Sequence, residues 1–97
     1  MIPQDYTVID LEMTGLHPKN DAILEVGAAK IRNGEVTDTM DIFVNPGRKI
    51  TQEITELTGI TDEMVKEGLS PAAAFHKTAE FIGDDILVGH NIIFDYS

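Results

Sequence analysis

The fold is decided by a stretch near the start of the chain, Tyr6-Thr-Val-Ile-Asp-Leu11, with Glu12 directly after it. The stretch is short, rich in β-branched residues and apolar on both faces, which is typical of a central β-strand covered on both sides. Successive side chains of a strand alternate between its two faces, so Asp10 and Glu12 point to the same side. The pattern predicts a buried strand that carries two neighbouring carboxylates at its end.

Two more strands are predicted after this one, over residues 22–31 and 35–45. Between them lies Asn33-Gly34, the strongest short-range signal for a hairpin, because both residues tolerate a positive φ. The first half of the chain is therefore predicted to form three strands, of which the second and third are antiparallel.

Short helices are predicted between residues 51 and 83. Thr51 can cap a first helix that Gly59 ends, and Thr61 can cap a turn that stops at Gly68. Ser70-Pro71 begins a third helix, with the cap residue followed by proline at the first helical position. This helix is predicted to present one apolar face, formed by Ala72, Phe75, Ala79 and Ile82.

A short apolar strand over residues 86–89 follows the third helix. A strand that follows a crossover helix usually lies parallel to an earlier strand, which predicts an α/β fold with a mixed sheet. The chain ends soon after Asn91, which could cap a new helix, so we expect residues 1–97 to be the N-terminal part of a single domain. In that case the 86–88 strand is an exposed edge, and we expect the chain to self-associate.

The composition limits the classes of function. Seventeen acidic and seven basic residues give a net charge of −10, which argues against a simple basic nucleic-acid-binding surface. A nuclease is still compatible with this charge, because divalent cations can mediate contacts between carboxylates and phosphate. The absence of cysteine excludes disulfides and thiolate metal sites and favours a reducing cytoplasm. No apolar run approaches the roughly 20 residues of a membrane span, so we expect no membrane contact.

Asp10 and Glu12 suggest a metal site. Two adjacent carboxylates repel each other, and a divalent cation between them relieves that cost. Ligands that are all oxygen select Mg²⁺ or Mn²⁺ over Zn²⁺. Asp95 lies just past the predicted 86–89 strand, where a parallel neighbour would deliver it next to Asp10. The competing interpretation is that these are solvated acids at strand ends.

Two motifs carry a family resemblance. Asp10-Leu-Glu-Met-Thr-Gly-Leu16 resembles the first motif of the DEDD (DnaQ-like) 3′→5′ exonucleases, and Gly89-His-Asn-Ile-Ile-Phe-Asp95 resembles their second. Residues 23–27, 43–46 and 54–61 resemble the proofreading exonuclease of bacterial DNA polymerase III, the PolC type especially. Several motifs in the right order are a far more specific signal than any one of them.

The resemblance implies a ribonuclease H-like fold and removal of nucleotides from 3′ ends with two metal ions, Mg²⁺ or Mn²⁺. It implies single-stranded nucleic acid 3′ ends and a DNA polymerase as partners. The catalytic metal ligands would be Asp10, Glu12 and Asp95, with Asp10 bridging the ions. The backbone of Met13 and Thr14 would hold the terminal nucleotide, Leu16 would pack on its base, and Asn91 would orient the scissile end.

Alternatives stay open at this point. The family also needs a fourth carboxylate and a general base, His or Tyr, from a third motif that these 97 residues lack, so we expect little or no activity from them alone. The Leu11-Glu12-Met13 wording of the first motif is typical of oligoribonuclease relatives, which makes RNA an alternative substrate. A non-catalytic acidic interaction module is the rival from a different class.

Overall fold

The computed structural model of the protein describes residues 4–14 and 22–90, with the side chain of His90 left out. These residues form one sheet and several short helices. In chain order the elements are β1 (Tyr6–Met13), β2 (Ile23–Arg32), β3 (Glu35–Phe43), α1 (Gln52–Thr58), α2 (Asp62–Lys66), α3 (Pro71–Ile82) and β4 (Leu87–His90). No helix in this part of the chain is long and apolar enough to cross a membrane.

The sheet is mixed, as predicted. Its strand order is β3-β2-β1-β4, with β1 antiparallel to β2, β2 antiparallel to β3, and β1 parallel to β4. Asn33 and Gly34 form the predicted hairpin with φ values of 54° and 75°. β1 is thus an inner strand, and the C-terminal end of β4 lies beside the C-terminal half of β1.

The helix starts follow the capping residues predicted from the sequence. The hydroxyl of Thr51 accepts a hydrogen bond from the N–H of Ile54, and Thr61 and Ser70 cap α2 and α3 in the same way. The predicted stop of α2 at Gly68 is off by one residue, because the C-cap is Glu67. Gly68 serves a close approach instead, since a Cβ there would lie 2.6 Å from the carbonyl oxygen of Phe43.

The core has two parts. One lies between the sheet and α3, and its buried residues are Ile9, Val26, Val44 and Ala74. The other connects the start of β2 to the region of α1 and α2, and its buried residues are Leu24, Ile50, Ile60 and Val65. β2 contributes to both parts, through Val26 to the first and Leu24 to the second, and it pairs with the acidic end of β1.

The predicted apolar face of α3 is confirmed in part. Ile82 packs against the core, and Phe75, Ala79 and Ile82 line an apolar groove beside the sheet. The fourth predicted residue, Ala72, is exposed, Phe75 is 76% exposed, and the buried residue of the helix is Ala74. A small side chain at Ala74 allows the helix to approach the strands closely, and Phe75 then lies at the margin of an apolar groove of about 810 Å³ between α3 and the sheet. The expected covering of β1 on both sides holds for one face: Thr7 and Ile9 are buried, while Val8 stays half-buried.

Candidate active site on the acidic face of the sheet

Strand register gathers four carboxylates on one side of the sheet. Asp10 lies opposite Gly27 and Glu12 opposite Glu25, while Gly27 in turn lies opposite Asp41. Residues paired across neighbouring strands share a face, so these acids lie on the side opposite Ile9 and the α3 core. The four residues that define this acidic face are Asp10, Glu12, Glu25 and Asp41. The sequence-based prediction that Asp10 and Glu12 share a face is confirmed.

The acids are close enough to perturb one another. The pKa of Glu25 is raised from its usual 4.5 to about 7, first by a side-chain hydrogen bond with Asp41, then by burial and by the negative charge of Asp41, Glu12 and Asp10. A hydrogen bond between two carboxyl groups requires one of them to hold a proton. The carboxyl groups of the acidic face therefore repel one another when all of them are ionised. A bound cation would reduce this repulsion.

Gly27 leaves the middle of this face without a side chain. It lies between Asp10 on β1 and Asp41 on β3, and among the described residues a Cβ built there would meet the Asp10 carbonyl oxygen alone, at 3.9 Å. A glycine inside a strand often marks a place where a ligand approaches the backbone. The row from Asp10 across Gly27 to Asp41 therefore has a carboxyl group at each end and no side chain between them.

The donor atoms fit a hard divalent cation, but the described residues supply only part of a site. Within residues 4–14 and 22–90, no three acidic or histidine side chains are placed to hold one metal ion together. Asp10 and Glu12 offer oxygen ligands of the kind that Mg²⁺ and Mn²⁺ prefer. A further donor is needed, and the predicted one, Asp95, lies outside the described residues.

β4 ends beside Asp10. The backbone of His90, the last residue of β4, is paired with Asp10 in the parallel register. Asp10 therefore lies at the carboxyl ends of two parallel strands, where sites in α/β sheets commonly form.

The remaining predicted site residues have mixed outcomes. Met13 is the last residue of β1, where the pairing with β2 is irregular. The N–H of Thr14 donates to the Ala22 carbonyl at 2.9 Å, and the Thr14 hydroxyl accepts from the Ala22 N–H at 2.8 Å. The Thr14 amide is thus engaged within the protein, so a nucleotide contact at Thr14 would not use it as a free donor. Leu16 and Asn91 lie outside the described residues.

Sequence reasoning missed Asp41 and Asp85. Asp41 belongs to the acidic face only because β3 pairs with β2 in a particular register. That register contains an irregularity between Lys30 and Ile31, which alternation along β3 does not reveal. Asp85 is hydrogen-bonded to Thr7, 78 positions away in the chain. The best signal for Asp41 in the sequence would have been Gly27, a glycine inside a predicted strand that lies between Asp10 and Asp41 on its two neighbours.

Comparison with known proteins decides the family. The RNase_T family model, described as Exonuclease, matches residues 7–97. The chain belongs to this exonuclease family. The match confirms the resemblance drawn from the two motifs.

Relatives of this exonuclease chain include PolC-type DNA polymerases III. The protein of Bacillus subtilis (strain 168) is 44% identical over 92 residues, which cover 95% of this chain and 6% of the relative. That of Thermotoga maritima is 40% identical over 91 residues, covering 94% of this chain and 7% of the relative. The chain thus spans only a small part of the curated relatives that it matches.

Solved structures confirm the ribonuclease H-like exonuclease fold. An exonuclease I from Methylocaldum szegediense superposes with a TM-score of 0.77 at 20% identity, over 92% of this chain and 21% of that one. An exonuclease X solved in complex with 5′ overhanging duplex DNA gives a TM-score of 0.73 at 26% identity, over 93% of this chain and 51% of that one.

Proposed function

We propose that this exonuclease domain hydrolyses nucleotides from the 3′ end of DNA, as a proofreading activity, with Mg²⁺ or Mn²⁺ as cofactor. One observation carries the proposal: Asp10 and Glu12 lie on the same face of an inner strand, and the backbone of His90, the last residue of β4, pairs with Asp10. The similarity to PolC-type DNA polymerases III supports DNA as the substrate and a polymerase as the partner.

In this proposal the carboxylates of Asp10, Glu12 and Asp95 would hold the divalent ions. Bound ions of this kind would supply an activated water and stabilise the charge on the leaving oxygen of a phosphodiester. The hydrogen bond with Asp41, which raises the pKa of Glu25 to about 7, would limit the repulsion around these ligands when the face binds no cation.

The terminal nucleotide would be held by Leu16 and by the backbone of Met13 and Thr14, apart from the Thr14 N–H, which donates to Ala22. Asn91 would orient the scissile bond.

RNA is the second candidate substrate. The wording Leu11-Glu12-Met13 in the first motif favours an oligoribonuclease-like activity, whereas the PolC-type relatives favour DNA. Side-by-side degradation of a DNA and an RNA oligonucleotide of one sequence separates the two, because they differ in the 2′-hydroxyl that such enzymes contact.

The test uses oligonucleotides labelled at either end, incubated with Mn²⁺ and two forms of the protein. One form is the 97-residue chain, which lacks a third motif and for which we expect little or no turnover. The other joins the third-motif segment of a PolC-type relative after Ser97, and for it we expect stepwise loss from the 3′ end.

The matched variants are Asp10→Asn and Asp38→Asn, the second an exposed acid on β3 opposite Lys30. Activity that vanishes only in Asp10→Asn supports the proposal. Equal activity in both variants would refute it, and a completed domain without any nuclease activity would favour the non-catalytic interaction module. Robust turnover by the 97-residue chain, abolished by Asp10→Asn, would overturn only the expected inactivity.

A further inference from the structure

We propose that Asp85 is a positioning residue for the exonuclease site. By binding Thr7 and Arg32 at once, it sets the register of β4 against β1 and so places the end of β4 beside Asp10. The proposal rests on the proposed function only for the role of Asp10 as a metal ligand. Asp85 itself lies outside the acidic face, ahead of β4.

The contacts of Asp85 join three parts of the sheet. Its Oδ2 accepts a hydrogen bond of 2.7 Å from the hydroxyl of Thr7 on β1, and its Oδ1 accepts one of 2.9 Å from Nη2 of Arg32 at the end of β2. Nη1 of Arg32 donates to the Ile31 carbonyl at 2.8 Å, which orients the guanidinium. Both oxygens of one carboxylate are thus committed to different strands just before β4 begins.

Thr7 makes this contact specific. It is fully buried, with 0% exposure, so its hydroxyl needs a partner inside the protein, and Asp85 provides one. The N–H of the same residue donates to the Ile86 carbonyl at 2.9 Å. Side chain and backbone of Thr7 therefore hold two successive residues, and only one register of β4 satisfies both bonds.

The contacts with Thr7 matter for the register of β4 because the side chains of β4 specify that register only weakly. The strand has four residues, and within the described part of the chain β1 is its one neighbouring strand, with Leu87 and Val88 49% and 40% exposed. Register is well specified where one face of a strand is buried and poorly specified where it is not. A slip by two residues would preserve the faces yet move the end of β4 by about 6.6 Å, away from Asp10.

The charge of Asp85 suits this role. Its pKa is lowered, first by the hydrogen bond from Thr7 and also by Arg32, against the opposing effect of partial burial. The carboxylate is therefore ionised at neutral pH and accepts at both oxygens. An asparagine could keep both partners, because its oxygen can accept from Arg32 while its NH₂ group donates to the Thr7 hydroxyl; an alanine at position 85 removes both bonds.

The test compares Asp85→Ala with Asp84→Ala, which removes a carboxylate from the adjacent exposed residue. A second pair is Thr7→Val, which removes the hydroxyl at nearly constant volume, and Thr7→Ser, which keeps it. Two quantities are measured on folded protein. Cross-strand NMR contacts between Thr7 and Leu87 report the register, and calorimetric titration with Mn²⁺ reports the metal site.

We expect Asp85→Ala and Thr7→Val to lose the contacts between residue 7 and Leu87 and to bind Mn²⁺ about 10-fold more weakly or worse, the usual range for a residue that orients a metal site. Asp84→Ala and Thr7→Ser should match the parent in both measurements. A mere loss of stability would change neither quantity in the folded fraction. If Asp85→Ala does not fold, Arg32→Lys keeps the charge, loses the planar guanidinium and should show a smaller shift of the same kind.

Two results would overturn the proposal: native contacts in Asp85→Ala, or lost contacts with unchanged Mn²⁺ affinity. A parent chain that binds no Mn²⁺ while Asp85→Ala loses its register contacts would count against the proposed function, and it would leave Asp85 as the residue that sets the register of β4.

Discussion

The two faces of the sheet differ although the same strands build both. On β1, Thr7 and Ile9 are buried toward α3, whereas Asp10 and Glu12 lie half-buried on the acidic face. The α3 side gains stability from apolar burial. The acidic face gathers carboxyl groups whose mutual repulsion opposes folding; the pKa of Glu25 is raised there first by the hydrogen bond with Asp41, then by burial and by the neighbouring negative charges. Strand alternation thus lets one short sequence contribute stability on one side and a candidate metal site on the other.

The largest expected effect is that of Asp10→Asn on the acidic face, which should lower activity without lowering stability. Asp10→Asn in the completed domain should lower exonuclease activity on the order of 10³-fold, because it removes a group that holds the ions stabilising transition-state charge. Its melting temperature in metal-free buffer should stay level or rise, since one negative charge leaves a crowded face. Kinetics and thermal unfolding on the same samples check both parts, and a large drop in melting temperature would break the comparison.

A core substitution should do the reverse. Leu24 is completely buried, so Leu24→Ala should cost about 3 kcal/mol of unfolding free energy through lost apolar contact and the cavity left behind. Leu57 is 79% exposed on α1, and Leu57→Ala should change stability by less than about 0.5 kcal/mol. Urea unfolding measures both. The Mn²⁺ affinity of folded Leu24→Ala should equal that of the parent, and a parallel loss of affinity would show that the two faces are coupled.

Glu25 gives the comparison a pH dependence. Its raised pKa means that the folded protein binds more protons than the unfolded chain between about pH 4.5 and 7, so this group's contribution to stability falls as pH rises through that range. Glu25→Gln should therefore stabilise the metal-free chain at pH 8 by about 1 kcal/mol, a value reduced for solvent screening at a half-buried site.

Urea unfolding at pH 5 and pH 8 checks this prediction, with Glu80→Gln on the exposed side of α3 as the control. The advantage of Glu25→Gln over the parent should be smaller at pH 5 than at pH 8. An equal gain at both pH values would mean that Glu25 does not share a proton with Asp41.

The smallest expected effect concerns self-association, which stays a prediction. The exposed apolar residues at the β4 edge and the groove beside Phe75 are surfaces that favour association. Ile86→Lys should weaken association because it places a charge at that edge, whereas Val36→Lys, on an equally exposed residue of β3, should not. Light scattering over a range of concentrations measures the difference, and a monomeric parent at high concentration would contradict the prediction.

Local signals in the sequence were enough for much of the fold. The hairpin at Asn33-Gly34, the helix caps and the shared side of Asp10 and Glu12 each depend on residues a few positions apart, where turn chemistry and alternation are reliable. The features missed depend on long-range packing. The face of α3 is set by the fit of Ala74 against the sheet, and Asp41 and Asp85 acquire their partners only through strand register.

The role of Asp10 as a metal ligand is tested most directly by calorimetric titration with Mn²⁺. The parent chain is titrated beside Asp10→Asn and the remote control Asp38→Asn. We expect saturable Mn²⁺ binding in the parent and in Asp38→Asn, and none in Asp10→Asn. Unchanged Mn²⁺ binding in Asp10→Asn would mean that the acidic face of β1 does not hold the metal.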